Sequence, residues 1–245
     1  MPKLQLGPIG LLPPSAASQG ILQPEAHSGC DMVEGEHVSS EKAMEVLAHK
    51  LLTLRNPTLF PGPLIIWAPS FKRWDKEWMS KAALSLKLVE EVPGMNIIPM
   101  PDYRPIYPKI DPEAVISPCH PNLTILHNKI QICVFIGQHC HFANVTLKMI
   151  RANTSCYTVV LCPYCGHEEA LLAIQDLDSP KLQKIIDTVK KMKDGGLTPW
   201  ALTPEGKEEL AEIKARKDAT KASSIKKEAQ LFMGELEQGL DENAE

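Results

Sequence analysis

Two short stretches of this 245-residue chain concentrate side chains able to bind a metal or pass electrons: His139-Cys140-His141 and Cys162-Pro163-Tyr164-Cys165-Gly166-His167. Zinc takes about four Cys or His ligands, and a Cys-x-x-Cys turn points two sulfurs at one ion. Cys162 and Cys165 with one of His139, Cys140, His141 or His167 would approach that count. A second Cys-x-x-Cys is absent, which excludes a zinc ribbon, and three consecutive residues cannot all ligate one ion without strain. Cys119-His120, bracketed by prolines, is a more distant contributor. Three roles stay open for Cys162 and Cys165: metal binding, a redox thiol pair, or inert packing. His139 and His141 fit turn residues bonded to backbone better than they fit ligands. Cys133 and Cys156 read as strand core residues, since a thiol packs as a small apolar group.

Known enzyme signatures fail. No Walker-type phosphate loop occurs, and Gly137-Gln138-His139 lacks the other glycines of a dinucleotide fingerprint. Neither a nucleophile elbow nor a kinase set is present. A Cys/His nucleophile pair such as Cys140 with His120 depends on geometry. Independent catalysis is not expected.

These turns must be held by strands and helices. Ile132 to Ile136 and Tyr157 to Leu161 are apolar strand runs, each leading into one of the turns. A helical stripe runs from Ser39 or Ser40, either a plausible N-cap, through Leu54 and stops at Pro57. Leu64 to Ala68 is expected as a short strand, Trp74 to Val92 as a helix and Asn96 to Met100 as a strand. Leu123 to Lys129 is ambiguous between helix and strand. Helices are expected over Phe142 to Ala152 and Glu168 to Ile174. A further helix is expected from Ser179-Pro180, read as N-cap and first helical position, to Gly195-Gly196. Short strands alternating with amphipathic helices predict an α/β fold: a three-layer, Rossmann-like parallel sheet covered on both faces. Ligands bind at the strand C-terminal edge of such sheets. A nucleotide or flavin there would meet Gly137, His139 and Asn144, a reading motivated by the fold alone.

The domain is expected over residues 39–195, after an extended or disordered arm at 1–38 and before a charged helical tail at 196–245. A Pro-rich stretch at 101–121 reads as a long ordered loop or docking surface. Apolar residues make up 44% and charged residues 23%, ordinary for a globular protein, and the formal net charge is -4. That balance gives no electrostatic case for nucleic acid or an anionic membrane as main partner. No apolar run reaches the length of a membrane span, and the first residues lack a signal-peptide core. Six of the seven cysteines lie between Cys119 and Cys165, among histidines, which suits reduced thiols or metal ligands in the cytoplasm.

The run from Ile132 through Gly137-Gln138-His139 to Phe142-Ala143-Asn144 resembles the small epsilon subunit of archaeal carbon monoxide dehydrogenase/acetyl-CoA synthase. Related sequences carry the label of a carbon monoxide dehydrogenase beta-subunit family. The resemblance spans roughly residues 39–193 and is specific around 132–145. It implies a Rossmann-like (DHS-like) domain, of the kind in the middle domain of thiamine-diphosphate enzymes, acting as an accessory subunit without a metal cluster of its own. The sequence departs from the archaeal pattern, which is aromatic at the His139-Cys140-His141 turn and lacks Cys162-Pro163-Tyr164-Cys165. The organisation is also similar to an accessory subunit of bacterial 2-oxoacid:ferredoxin oxidoreductase, such as pyruvate synthase. Both settings imply catalytic subunits of a large ferredoxin-dependent oxidoreductase as partners. The expectation is therefore a non-catalytic subunit supporting assembly or electron transfer, with zinc as the one metal the residues suggest.

Overall fold

The computed structural model describes residues 29–66, 76–100, 121–164, 167, 169–215 and 218. The arm before residue 29, the stretch 101–120 with Cys119 and His120, and the tail beyond 218 lie outside the described residues. The chain divides into two units at residue 201. In the first, seven described strands form one sheet: β1 (Cys30–Val33), β2 (Glu36–Ser39), β3 (Thr58–Pro61), β4 (Asn96–Ile97), β5 (Ile132–Ile136), β6 (Tyr157–Leu161) and β7 (Leu172–Ile174). Its helices are α1 (Ser40–Thr53), α2 (Pro63–Ile66), α3 (Lys76–Glu91), α4 (Pro121–His127), α5 (Cys140–Asn153) and α6 (Ser179–Asp194). In the second unit a helix, α7, spans 204–215.

The sheet order is β2-β1-β7-β6-β5-β3-β4. Strands β3 to β7 are mutually parallel, and the β1–β2 hairpin extends the β7 edge antiparallel. Among the parallel strands the order is that of a doubly wound, flavodoxin-like sheet, and it reverses between β3 and β5. Every residue of β5 and β6 is buried, as expected for strands sealed on both faces. Ile132, Val134, Ile136, Val159 and Leu161 pack with the apolar faces of α1, α3 and α6. Cys133, Phe135 and Val160 pack on the opposite side with Ile125 of α4 and Leu147 and Ile150 of α5. Phe60 and Phe135 stack across β3 and β5 with centroids 5.3 Å apart. The α/β, Rossmann-like layering is thus present.

Several elements differ from expectation. The strand at Leu64–Ala68 is instead Thr58–Pro61, followed at Pro63 by α2. Pro63 suits a first helical turn, which needs no N–H from it. Glu168–Ile174 is not a helix: Leu172–Ile174 is strand β7, fully buried between β6 and β1. A short apolar run of this kind has no period that separates strand from helix. The end of the expected 1–38 arm joins Ser39 in a hairpin, Cys30–Ser39, whose two-residue turn, Glu34-Gly35, has φ of 51° and 83°. Positive φ at both central positions is the turn whose twist matches paired strands. The N-cap of α6 is Asp178, whose side chain accepts from Lys181 N–H, and Pro180 sits in the first turn. Ser39 caps α1 in the same way, accepting from Lys42 N–H. The ambiguous Leu123–Lys129 is largely helical, within α4.

β6 reaches its parallel neighbour β7 through residues 162–171, and no described residue of that connection is helical. It is pinned instead by polar contacts. The wholly buried Thr158 donates its hydroxyl to Glu169 O and accepts from Leu171 N–H. Arg151 of α5 and Glu169 form an ion pair at 2.6 Å, with side chains 6% and 3% exposed. Removing one partner of such a pair strands a buried charge, whereas exchanging both for apolar groups is often near neutral. Arg151→Met or Glu169→Leu alone should each cost about 3 kcal/mol in urea denaturation. The double variant should recover most of that loss, and a simple sum of the two single effects would show the pair to be uncoupled.

Candidate functional site

Both Cys/His turns leave the same edge of the sheet. β5 and β6 pair in parallel register to their last residues, Ile136 opposite Leu161, so Gly137 and Cys162 start side by side. Adjacent strands lie about 4.8 Å apart. Beyond that starting point the turns diverge. Gly137, with φ 69°, leads through Gln138 to His139, whose backbone is the N-cap of α5 and whose side chain makes no cap bond. Cys140 and His141 occupy the first turn of α5, but their side chains lie outside the described residues. Cys162 is 4% exposed, in the second core with Met32, Phe60 and Ala170. Its Sγ accepts a hydrogen bond from Tyr164 N–H at 3.4 Å. Cys165 lies outside the described residues.

The strand order reverses between β3 and β5, where open α/β sheets usually leave a ligand crevice. Here the chain itself fills that position. Gly62 N–H donates to Ile136 O at 2.8 Å and Leu64 N–H to Gly137 O at 3.2 Å. Gln138 folds back so that its Nε2 donates to Phe60 O at 3.2 Å. A Cβ at Gly62 would stand 2.4 Å from Gly137 O, so no other residue fits there without moving β3 and β5 apart. A side chain at Gly137 would meet Ile65 Cγ1 at 2.6 Å, on top of the strain of its positive φ. Pro61-Gly62-Pro63 was the sequence signal for this contact, a glycine between prolines at a strand end.

Two candidates do meet. His167, 5% exposed, places Nδ1 2.6 Å from Asn144 Oδ1 in the second turn of α5. An amide oxygen only accepts, so the contact selects the Nδ1–H tautomer and leaves the Nε2 lone pair for another use. Burial lowers the His167 pKa to about 4, so the ring is neutral at physiological pH. Cys133 and Cys156 are buried as expected, and burial, reinforced by the neighbouring Cys156 thiol, pushes Cys133 well up. That suits inert core thiols. Among the described residues no three His, Cys, Asp or Glu side chains gather as a metal site. Sequence reading passed over a second polar cluster at this edge. The wholly buried Asp31 of β1 accepts from Gln175 N–H at 2.8 Å and pairs with Lys181 Nζ at 3.2 Å. Lys181 also donates to Gln175 O, so the cluster ties the hairpin to the start of α6.

Among the described residues no helix is long and apolar enough to cross a membrane. A protein-family model described as CO dehydrogenase beta subunit/acetyl-CoA synthase epsilon subunit matches residues 21–192. A comparison with curated proteins gives no match.

The neutral His167 makes stability depend on pH. Between its folded pKa of about 4 and its ordinary 6.5, the unfolded chain binds a proton that the folded chain does not. Stability therefore rises with pH across that window and is lost as pH falls through it. The loss should be on the order of 2–3 kcal/mol in wild type by denaturant titration. His167→Gln, which keeps a donor toward Asn144, should flatten the profile, and an unchanged profile would show that another group carries it.

Proposed function

Since the chain belongs to the CO dehydrogenase beta subunit/acetyl-CoA synthase epsilon subunit family, we propose that it is an accessory, non-catalytic subunit of a ferredoxin-linked oxidoreductase complex. The partner is the catalytic machinery of a carbon monoxide dehydrogenase/acetyl-CoA synthase or of a 2-oxoacid:ferredoxin oxidoreductase, and the subunit supports assembly or electron transfer. The observation that carries this reading is the family match, which spans the sheet from β1 to β7. The geometry agrees with it. The strand-end position where related folds take a nucleotide or flavin is filled by Gly62, Gly137 and Gln138, which counts against the cofactor-binding alternative at Gly137, His139 and Asn144.

A second reading, a zinc or redox knuckle, is favoured by one contact. The Tyr164 N–H bond to Cys162 Sγ fixes the direction of a sulfur that would serve as one ligand. Cys165 follows at knuckle spacing, and His167, held as the Nδ1–H tautomer, could offer Nε2 as other zinc-bound histidines do. Cys140, His139 or His141 would complete the set.

Affinity purification of the tagged chain from its native host should recover catalytic oxidoreductase subunits in fixed stoichiometry. Recovery of a stable monomer alone would defeat the accessory reading. Elemental analysis of the same material separates the second reading: about one zinc per chain, lost in Cys162→Ser, supports the knuckle, and less than about 0.2 metal per chain excludes the zinc form.

A further inference from the structure

The two helical layers of the first unit differ in charge. The chain holds 30 acidic residues, yet none occurs between Glu113 and Glu168. That run supplies α4, β5, α5 and β6, and the strands are buried, so its described surface is chiefly the outer face of α4 and α5. Its charged groups are Lys129 after α4, Lys148 on α5, and Arg151, the last neutralised by Glu169. The layer of α1, α3 and α6 is built differently, with acids and bases interleaved and paired, as in Lys42–Glu45, Lys81–Glu77 and Lys193–Glu91.

The acid-free layer also exposes large apolar side chains. Leu123 and Leu126 of α4 are 66% and 59% exposed and, three residues apart, lie on one side of the helix. Val145 of α5 is exposed as well, and Tyr164 stands out of the β6 turn. Single exposed leucines are ordinary, but apolar groups on a run whose described charged residues are all cations are complemented by an apolar centre with an Asp or Glu rim.

We propose that the outer face of α4 and α5 is the surface through which this chain docks, and that its occupant is an acid-rimmed, apolar-centred face of the partner's catalytic subunit. This rests on the accessory-subunit reading and names the face and the chemistry of its partner. Lys148 steers the encounter, while Leu123, Leu126 and Val145 lose water on contact, so association weakens as salt rises.

The test uses the full-length chain against the purified catalytic subunits of both oxidoreductase types from the native host, measured by calorimetry at low and high salt. Leu123→Asp/Leu126→Asp should weaken binding by about tenfold or more. Lys148→Glu should weaken it a few-fold, mostly through the on-rate, and reduce its salt dependence. Leu86→Asp, on an exposed position of α3 in the other layer, should bind as wild type. The four substitutions in these three variants lie at exposed or half-buried positions, and equal thermal melts verify that the variants fold. Wild type that binds neither set of subunits overturns the accessory reading and this proposal with it. Wild type that binds while the α4 and α5 variants bind equally well overturns the proposal alone. It also falls if those variants change only the chain's association with itself.

Discussion

The contact on which the rest of this sheet depends is between two backbones. Gly62 at the end of β3 lies so close to Gly137 at the end of β5 that a single methyl group would collide with a carbonyl oxygen 2.4 Å away. Only hydrogen fits, and the reward is two inter-strand hydrogen bonds beyond the end of the regular pairing. In a doubly wound sheet the helices after these two strands go to opposite faces, and the gap between them is the natural pocket. Here α2 starts directly at Pro63 and Ile65 lies against Gly137, so the described residues on either side of the gap pack directly on one another. The fold is therefore one associated with cofactor binding, arranged so that its usual binding position serves as packing.

A second constraint follows on the other face. The first core is almost wholly aliphatic and covered by three helices. The second has α4 and α5, and beside α5 a connection with no described helical residue. A strand-to-strand crossover without a helix has little apolar surface to hold it, so buried polar pairs fix its position: His167 with Asn144, Glu169 with Arg151, Thr158 with both Glu169 and Leu171. Such pairs contribute little net stability compared with apolar packing, but they penalise any shifted arrangement by leaving charges or donors unmatched. The turn that carries Cys162 and Tyr164 owes its placement to that penalty.

What was legible in the sequence follows from the same physics. β5 and β6 read clearly because β-branched and aromatic residues fill four of the five positions in each, and α6 because Leu182, Ile185, Ile186 and Val189 repeat at helical spacing. β7 was misread because Leu-Leu-Ala-Ile fits either period, and only its neighbours decide between them. β3 was displaced to the run after Pro63 because its own residues, Thr-Leu-Phe-Pro, carry a proline at the edge of the ladder. The hairpin escaped because a non-glycine, Glu34, holds the first positive φ of its turn. At the site, the two apolar runs could be seen to lead into the Cys/His turns, and the structure pairs them to their last residues, Ile136 opposite Leu161. Spacing could not show that Gln138 turns back onto Phe60, or that His167 turns toward α5, because both depend on contacts distant in sequence.

These constraints bear on where a protein of this kind can act. The backbone and side-chain contacts of Gly62, Gly137 and Gln138 hold the ends of β3 and β5 tightly against one another. Rigidity is useful to a subunit that must present a surface, because little conformational entropy is lost when a preformed face is buried. It also decides how the Cys162 turn can participate under either proposed reading. As part of a docking body, the turn is held by Tyr164, which presents its ring outward while its own N–H secures the sulfur inward. As a knuckle, the same bond orients that sulfur before any metal arrives. In both cases the geometry of the turn is set from beneath, by the closed sheet and the pinned crossover, and not by a ligand.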